Sequence, residues 1–182
     1  MGNSAQVVVL AEDRQHQTFA YNWLARRGFG PRQIRLLPVV SGRGAGEQDV
    51  RKRYPQEVEV HRRRAHHMGC QLVVVVDADT RSVQERVQQL DQALVEVHLE
   101  KRSEEDAICL LIPKQNVETW ILFLLTGSAN EEDDFKRPAT KPGDECRQAA
   151  QRLADTHPLP APPAEFLPSL QQGWRELKRV FP

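Results

Sequence analysis

The segment QLVVVV (71–76) constrains the fold more than any other stretch of this chain. It is apolar at five consecutive positions instead of at alternate ones, which is typical of a strand covered on both faces. Such strands belong to parallel sheets with helices packed on either side. The rest of the chain must therefore provide parallel partner strands and the helices that cover them.

Other segments supply these partners in alternating order. Short apolar runs predict strands at 6–10, 34–40 and 107–113, and Pro38 restricts the second of these to a sheet edge or to its own last residues. Helical patterns follow the first strand and recur at 54–68, where Pro55 suits the first turn, at 82–97, and at 116–127. Ser82 and Glu85 have the spacing of a capping box. This order predicts an α/β fold with a sheet of about four mainly parallel strands and helices on both faces.

The composition of the chain changes after residue 127. Residues 1–127 form the predicted α/β domain, and residues 128–157 read as a charged loop followed by a helix at 145–157. Residues 158–182 combine a proline-rich connector with a short terminal helix around Trp174, Leu177 and Val180. We expect this small helical C-terminal tail to pack back on the domain.

Charge and cysteine content limit the possible partners. The 25 Lys and Arg residues balance the 25 Asp and Glu residues, so any attraction of a polyanion must be local. Cys70, Cys109 and Cys146 make an odd, widely spaced set, which favours buried thiols in a reducing compartment. No apolar run reaches the roughly 20 residues that span a bilayer, and the first ten residues do not resemble a secretion signal. We therefore expect a cytoplasmic protein with no membrane partner.

Acidic residues follow two of the predicted strands. Asp77 and Asp79 come after the strand at 71–76, and side chains two apart on a strand point the same way. Glu12 follows the first strand, so the three carboxylates converge if these strands are neighbours. Carboxylates at the carboxyl end of a parallel sheet suit Mg²⁺ or Mn²⁺. The alternative is that each acid only forms a turn or caps a helix.

With Glu12 in VVVLAED and Asp77 and Asp79 in VVVVDAD, residues 6–126 resemble the Toprim domain, the metal-binding module of topoisomerases, DnaG-type primases and several nucleases. The segment IPKQNVETWILFLL (112–125) is similar to one in RloB-like and related small Toprim proteins, where a proline and a Glu-x-Trp lead an apolar helix. The resemblance implies a Rossmann-like Toprim sheet and metal-dependent cleavage of nucleic acid. By association with the related proteins alone, it also suggests a role in bacterial defence.

The same resemblance assigns the site residues. Glu12, Asp77 and Asp79 are the implied metal ligands for Mg²⁺ or Mn²⁺, and together with Glu118 they are the implied catalytic acids. Glu118 has an equally good structural explanation, because a glutamate in a first helical turn is favoured by the helix dipole.

Two positions depart from the Toprim pattern. Asp13 stands where a glycine usually follows the glutamate, and His16 stands where an acid is common. A histidine can bind a metal or act as a base, although at a helix start it is more often a cap or a surface residue. These departures leave open a binding-only copy of the domain.

Basic residues supply candidate contacts to phosphate. The predicted nucleic-acid-binding residues are Arg51, Lys52, Arg53, Arg62, Arg63 and Arg64, with Lys101 and Arg102 as further candidates. A helix face that is only exposed to solvent would have the same basic residues without binding nucleic acid. The loop SGRGAG (41–46) has neither Walker nor dinucleotide spacing, and the histidines and cysteines do not have the spacing of a zinc site.

Three functions remain open at this point. The first is a Mg²⁺-dependent nuclease, and the second is an accessory subunit that binds nucleic acid or a partner ATPase through the basic helix and the tail. The third is a phosphatase, because DADT (77–80) matches the Asp-x-Asp of haloacid dehalogenases. That family places the motif on its first strand and expects a later acidic pair, whereas Asp144 follows a polar loop here.

Overall fold

The computed structural model describes residues 6–40, 45–133 and 143–182, and the side chains of residues 65–68 are not described. Most of the loop SGRGAG with Arg43, the side chains of His66 and His67, and the middle of the charged segment after residue 127 therefore lie outside the described residues.

A four-stranded parallel sheet forms the centre of the described chain. The strands are β1 (Val7–Ala11), β2 (Ile34–Leu36), β3 (Gln71–Val75) and β4 (Ile108–Leu111), in the order β2-β1-β3-β4. β3 is central and buried, which confirms the interpretation of its continuous apolar run. β2 is an edge strand that ends before Pro38, as the proline predicts.

Helices cover both faces of the sheet, so the predicted α/β class is confirmed. They are α1 (Arg14–Arg26), α2 (Gly46–Met68), α3 (Val83–Glu96), α4 (Val117–Thr126), α5 (Asp144–Asp155) and α6 (Pro168–Val180). Alternate strand residues belong to two separate cores: Val73 and Val75 pack with α1, α4, α5 and α6, whereas Leu72 and Val74 pack with α2 and α3. Helices therefore occupy the two faces unequally.

The second helix is longer than the sequence pattern indicates. It begins at Gly46 instead of at residue 54, and Pro55 lies inside it instead of in its first turn. Between residues 46 and 53 only Gly46 and Val50 are buried, so the first two turns have no apolar stripe that would reveal them. The capping box of α3 is confirmed, with the Ser82 hydroxyl and the Glu85 carboxylate each accepting the other residue's backbone N–H.

The C-terminal tail packs on the domain, as expected, and covers the open edge of the sheet. The Glu176 carboxylate on α6 accepts the backbone N–H of Leu110 at 3.1 Å, and Arg179 donates to the Ile108 carbonyl at 2.6 Å. Arg102 donates to the same carbonyl and to Glu176. These side chains occupy the hydrogen-bonding positions that a fifth strand would otherwise take.

Trp120 and the cysteines belong to the core. Trp120 is fully buried, its indole N–H donates to the Ser169 hydroxyl at 2.7 Å, and Gly173 leaves the space for its ring. All three cysteines are buried free thiols. In the described ranges, no helix has the length and apolar character needed to cross a bilayer.

Candidate metal centre

The strand order places a topological switch point between β1 and β3. The chain passes from β1 through α1 to one edge strand, and from β3 through α3 to the other. Because α1 and α3 pack on opposite faces of the sheet, the loops after β1 and β3 separate at the carboxyl ends of these two strands. Open α/β sheets bind ligands at such a switch point. Glu12 follows β1 directly, and Asp77 follows β3 after one residue, Val76.

Backbone contacts fix the two acids beside each other. The Glu12 N–H donates to the Val75 carbonyl at 3.1 Å, and the Glu12 carboxylate accepts the N–H of Asp77 at 3.1 Å. The next residue, Ala78, donates to the Pro113 carbonyl at 2.8 Å, which keeps the turn attached to the chain beyond β4. The predicted convergence of Glu12 and Asp77 is therefore present in the structure.

Gly46 forms a wall of the same site. A Cβ atom at this position would lie 2.5 Å from both the Cγ and the carbonyl oxygen of Glu12, which is closer than real Cβ atoms approach other heavy atoms. Only glycine lets the start of α2 approach Glu12 so closely.

His16 lies between two carboxylates. Its Nδ1 is 2.7 Å from Asp13 Oδ1, its Nε2 is 2.8 Å from Asp77 Oδ1, and the residue is only 2% exposed. Asp13 is the N-cap of α1 and also accepts the backbone N–H groups of Gln15 and His16. The histidine is therefore neither the cap nor a surface residue, which corrects the commoner expectation for a histidine at a helix start.

Three side chains of the described part of the chain offer one ligand atom each within 4.8 Å of one another: Glu12, His16 and Asp77. Two carboxylate oxygens and one imidazole nitrogen are donors that divalent metal ions accept.

Burial disfavours the ionised forms of the Glu12 and Asp77 carboxyl groups. Burial, with the charge of Asp77 as the second cause, raises the pKa of Glu12 from 4.5 to about 7. Burial likewise raises the pKa of Asp77 from 3.8 to about 6, against the lowering effect of His16. The ionised forms of both carboxyl groups are therefore less favourable here than in water.

The pKa shifts of His16 and Asp13 favour the charged forms of these groups, unlike those of Glu12 and Asp77. Burial alone would lower the pKa of His16, but Asp77 and Asp13 together raise it well above 6.5. Burial would raise the pKa of Asp13, but its hydrogen bonds and the charge of His16 lower it to about 2. Since both neighbours of the ring are carboxylate oxygens, both ring nitrogens donate and the imidazole is cationic.

Asp79 lies beside this group but is engaged elsewhere. Its carboxylate is 3.3 Å from Arg86 Nη2, its side chain is 48% exposed, and its backbone is left-handed with φ of 55°. Arg86 is itself buried and also contacts Glu47 and the Ala78 carbonyl. The assignment of Asp79 as a metal ligand stays a prediction, because its carboxylate does not belong to the group that Glu12, His16 and Asp77 form.

Glu118 lies on the same side of the sheet. It is in the first turn of α4, half-buried, behind the Asn116 N-cap. Its charge helps to raise the pKa of Asp77 and also that of the buried Cys146 thiol, so it is close to both. This position fits the predicted catalytic acid and the first-turn glutamate equally.

All six predicted nucleic-acid-binding residues lie on α2, and they differ in whether they form contacts within the chain. Several are engaged within the chain: Arg53 with Asp49 and the Pro38 carbonyl, Arg62 with Asp106 and two loop carbonyls, and Arg63 with Glu59. Arg64 is exposed. Arg51 and Lys52 line a groove of about 670 Å³ between α2 and α3, together with Gln48, Pro55, Gln89, Gln92, Ala93, Glu96 and Val97.

This groove adjoins the acidic site. Gln89, on its wall, accepts a hydrogen bond from Arg86 at 2.5 Å, and Arg86 contacts Asp79. Glu47 contacts Arg86 and lies 3.8 Å from Arg51. A chain of three side chains therefore links the groove to the Asp-x-Asp turn.

Two residues that matter here, His16 and Arg86, are not among the site residues predicted from the sequence. For His16 the sequence indicates only a departure from the Toprim pattern that could bind a metal or act as a base, and its signal is the Asp13-x-x-His16 spacing directly after an acid-terminated strand. Arg86 lies on the buried face of α3, one position before Val87 of its apolar stripe. A charged residue at such a position predicts a buried ion pair, which Arg86 forms with Glu47.

Comparisons with protein-family models, with curated proteins and with solved structures found no match.

Proposed function

We propose that this chain hydrolyses phosphodiester bonds of nucleic acid at Glu12 and Asp77, with Mg²⁺ or Mn²⁺ as cofactor. The observation that carries the proposal is the convergence of ligand atoms from Glu12, His16 and Asp77, within 4.8 Å of one another, at the switch point between β1 and β3.

The donor set fits a divalent cation. Glu12 and Asp77 lie side by side, burial raises the pKa of both carboxyl groups, and repulsion by the charge of Asp77 also raises that of Glu12. A dication would remove this repulsion, because two carboxylates balance its two charges. Glu12 and Asp77 would bind it directly.

The bound ion would supply Lewis-acid activation of water and neutralise charge on the phosphodiester. The chain contributes position and proton transfer. Glu118, close enough to Asp77 to influence its pKa, is the candidate proton acceptor. The groove with Arg51 and Lys52 supports a polyanionic substrate, because it provides local positive charge next to the Asp-x-Asp turn in a chain of zero net charge.

A cleavage assay tests the proposal. The full chain is incubated with Mg²⁺ or Mn²⁺ and with labelled single-stranded DNA, duplex DNA or RNA. We expect at least one substrate to be cut, and Asp77→Asn to lower the rate by more than about 100-fold, since it removes a ligand charge while keeping the shape of the side chain.

The matched control is Asp144→Asn, at an exposed aspartate that is 2.7 Å from Arg147. It should cut like the wild type. A wild type that cuts none of the substrates with either ion contradicts the proposal, as does an Asp77→Asn variant with full activity.

A second candidate is a binding-only accessory subunit. It is favoured by the internal partners of both acids of the Asp-x-Asp turn, since His16 contacts Asp77 and Arg86 contacts Asp79. This subunit would bind nucleic acid without cutting it under any of the conditions above. Release of phosphate from p-nitrophenyl phosphate, lost in Asp77→Asn, would instead favour the phosphatase alternative.

A further inference from the structure

The Asp13–His16 pair has the arrangement of an oriented metal ligand. A metal-binding histidine commonly donates its second ring N–H to a carboxylate, which fixes the ring and its tautomer. Here Asp13 Oδ1 lies 2.7 Å from His16 Nδ1. Asp13 is itself fixed, because it caps α1 through two backbone N–H groups.

This orientation directs the other nitrogen into the acidic site. His16 Nε2 is 2.8 Å from Asp77 Oδ1, and His16 offers a ligand atom within 4.8 Å of those of Asp77 and Glu12. The ring is buried, so it has little freedom to turn towards solvent. Without a metal ion, Nε2 donates its proton to Asp77. On metal binding that proton would be released to solvent, Nδ1 would remain the donor to Asp13, and the neutral ring would present the lone pair of Nε2 to the ion.

We propose that His16 Nε2 is a metal ligand, with Asp13 as its positioning residue, and that the site consequently prefers a first-row transition ion such as Mn²⁺ over Mg²⁺. The inference rests on the proposed metal-dependent function and specifies its cofactor. Mg²⁺ favours a shell of oxygen ligands and water, whereas imidazole nitrogen favours transition ions.

The charges favour one ion. Glu12 and Asp77 together balance one dication, and a neutral imidazole adds a ligand without adding charge. Asp79, the second acid of the Asp-x-Asp turn, is paired with the buried Arg86 and so does not add free charge for a second ion. We therefore expect one Mn²⁺ per chain.

The test is a direct measurement of metal binding with MnCl₂ and MgCl₂ alone. Titration calorimetry on the full chain should give one Mn²⁺ site with an affinity at least about tenfold above that for Mg²⁺. Pulsed electron paramagnetic resonance of the bound Mn²⁺ should show coupling to a coordinated nitrogen, and labelling of the histidines with ¹⁵N should change that coupling.

Variants separate His16 from the other histidines. His16→Asp offers oxygen in place of nitrogen, so the nitrogen coupling should disappear and the ratio of Mn²⁺ to Mg²⁺ affinity should fall at least about tenfold. Asp13→Asn should weaken Mn²⁺ binding about 10-fold or more through loss of orientation. The control is His98→Asn, because His98 is exposed and its positive φ of 62° suits asparagine. It should keep both the coupling and the affinity ratio.

The outcomes distinguish this inference from the proposed function. Tight Mn²⁺ binding without nitrogen coupling, in a wild type that still cuts nucleic acid, overturns only the role of His16. Failure of the wild type to bind either ion overturns both. Because the labelled wild type needs no substitution, the test remains decisive even if the His16 and Asp13 variants do not fold.

Discussion

At the scale of single residues, the site combines two acids that ionise with difficulty and a histidine that is easily protonated. Glu12 and Asp77 have pKa values of about 7 and 6, and His16 has a pKa well above 6.5. Burial raises the pKa values of the two acids, and the neighbouring carboxylates of Asp77 and Asp13 raise that of His16 against the effect of burial. In the proposed function, a divalent cation would offset the unfavourable burial of the two carboxylates.

The first prediction concerns pH. The pKa values of Glu12 and Asp77 are raised from 4.5 and 3.8 to about 7 and 6, so between about pH 4 and pH 7 the folded chain binds more protons than the unfolded chain. The free energy of unfolding therefore falls as the pH rises through this window, and the raised pKa of His16 acts in the same direction. Urea unfolding in EDTA should give lower stability at pH 8 than at pH 5, by on the order of 2 kcal/mol.

Substitution identifies the source of this effect. Glu12→Gln keeps an acceptor for the Asp77 N–H and should reduce the difference between pH 5 and pH 8. Glu165→Gln, at an exposed position, should leave the difference unchanged. A protein that is equally stable at both pH values would show that the two acids are not buried together.

Gly46 gives the second prediction. Gly46→Ala should lower the free energy of unfolding by about 1–3 kcal/mol, because its Cβ would lie 2.5 Å from Glu12 atoms that include a backbone oxygen. It should also weaken Mn²⁺ binding, since Glu12 must move. Urea unfolding and calorimetry measure the two effects.

The matched control is Gly173→Ala. Its Cβ would lie 2.6 Å from the buried Trp120 ring, so a similar loss of stability is expected at a place remote in sequence from the acids. Mn²⁺ affinity should be unchanged there. Equal Mn²⁺ affinity in Gly46→Ala and the wild type would contradict the close contact between α2 and the site.

At the scale of elements, the C-terminal helix protects the edge of the sheet with side chains instead of a strand.

The third prediction is that Glu176→Ala lowers the free energy of unfolding by about 2–3 kcal/mol, because Arg102 and Arg179 lose their shared carboxylate and Leu110 loses its acceptor. Hydrogen exchange should be faster at the Leu110 amide. Arg175→Ala, on the exposed side of the same helix, should change stability by less than about 0.5 kcal/mol. An unchanged exchange rate at Leu110 in Glu176→Ala would refute the edge contact.

The groove between α2 and α3 carries the fourth prediction. Replacing Arg51 and Lys52 by alanine should weaken nucleic-acid binding and lower the slope of log affinity against log salt by about 2, one unit for each phosphate contact. Fluorescence anisotropy over a salt series measures both. The double variant Arg147→Ala, Arg175→Ala removes the same charge at exposed positions outside the groove. If both double variants lose affinity equally, the groove is not the binding surface.

Elements with strong apolar patterns could be predicted from the sequence, and those without could not. The run 72–76 predicted the central strand, and the strands after residues 6 and 107 followed from the same reasoning. The start of α2 could not be predicted, because its first turns are mostly solvent-facing and Pro55 is a residue typical of a first helical turn.

Part of the site could likewise be predicted from the sequence. The sequence predicts that Glu12 and Asp77 converge if the strands before them are neighbours, and β1 and β3 are paired in the structure. The position of Asp79 could not, because β3 ends at Val75 and the backbone at Asp79 is left-handed, which removes the alternation that a strand would impose. The burial of His16 depends on how α1 packs against the sheet, which no short spacing encodes.

At the scale of the whole molecule, a chain of zero net charge separates its charges locally. Acids collect at the switch point of the sheet, and two cations line the adjoining groove. Such an arrangement would attract a phosphodiester to the groove and place a dication beside it, without a strong overall field.

The central claim is that Glu12, His16 and Asp77 bind one divalent ion. A crystal of the full chain soaked in MnCl₂ tests it most directly through anomalous scattering. We predict a single strong peak bonded to one carboxylate oxygen of Glu12, one of Asp77 and Nε2 of His16, with Asp79 still paired to Arg86. Density for the three side chains without any peak between them, at Mn²⁺ concentrations that occupy other acidic positions, would contradict the account.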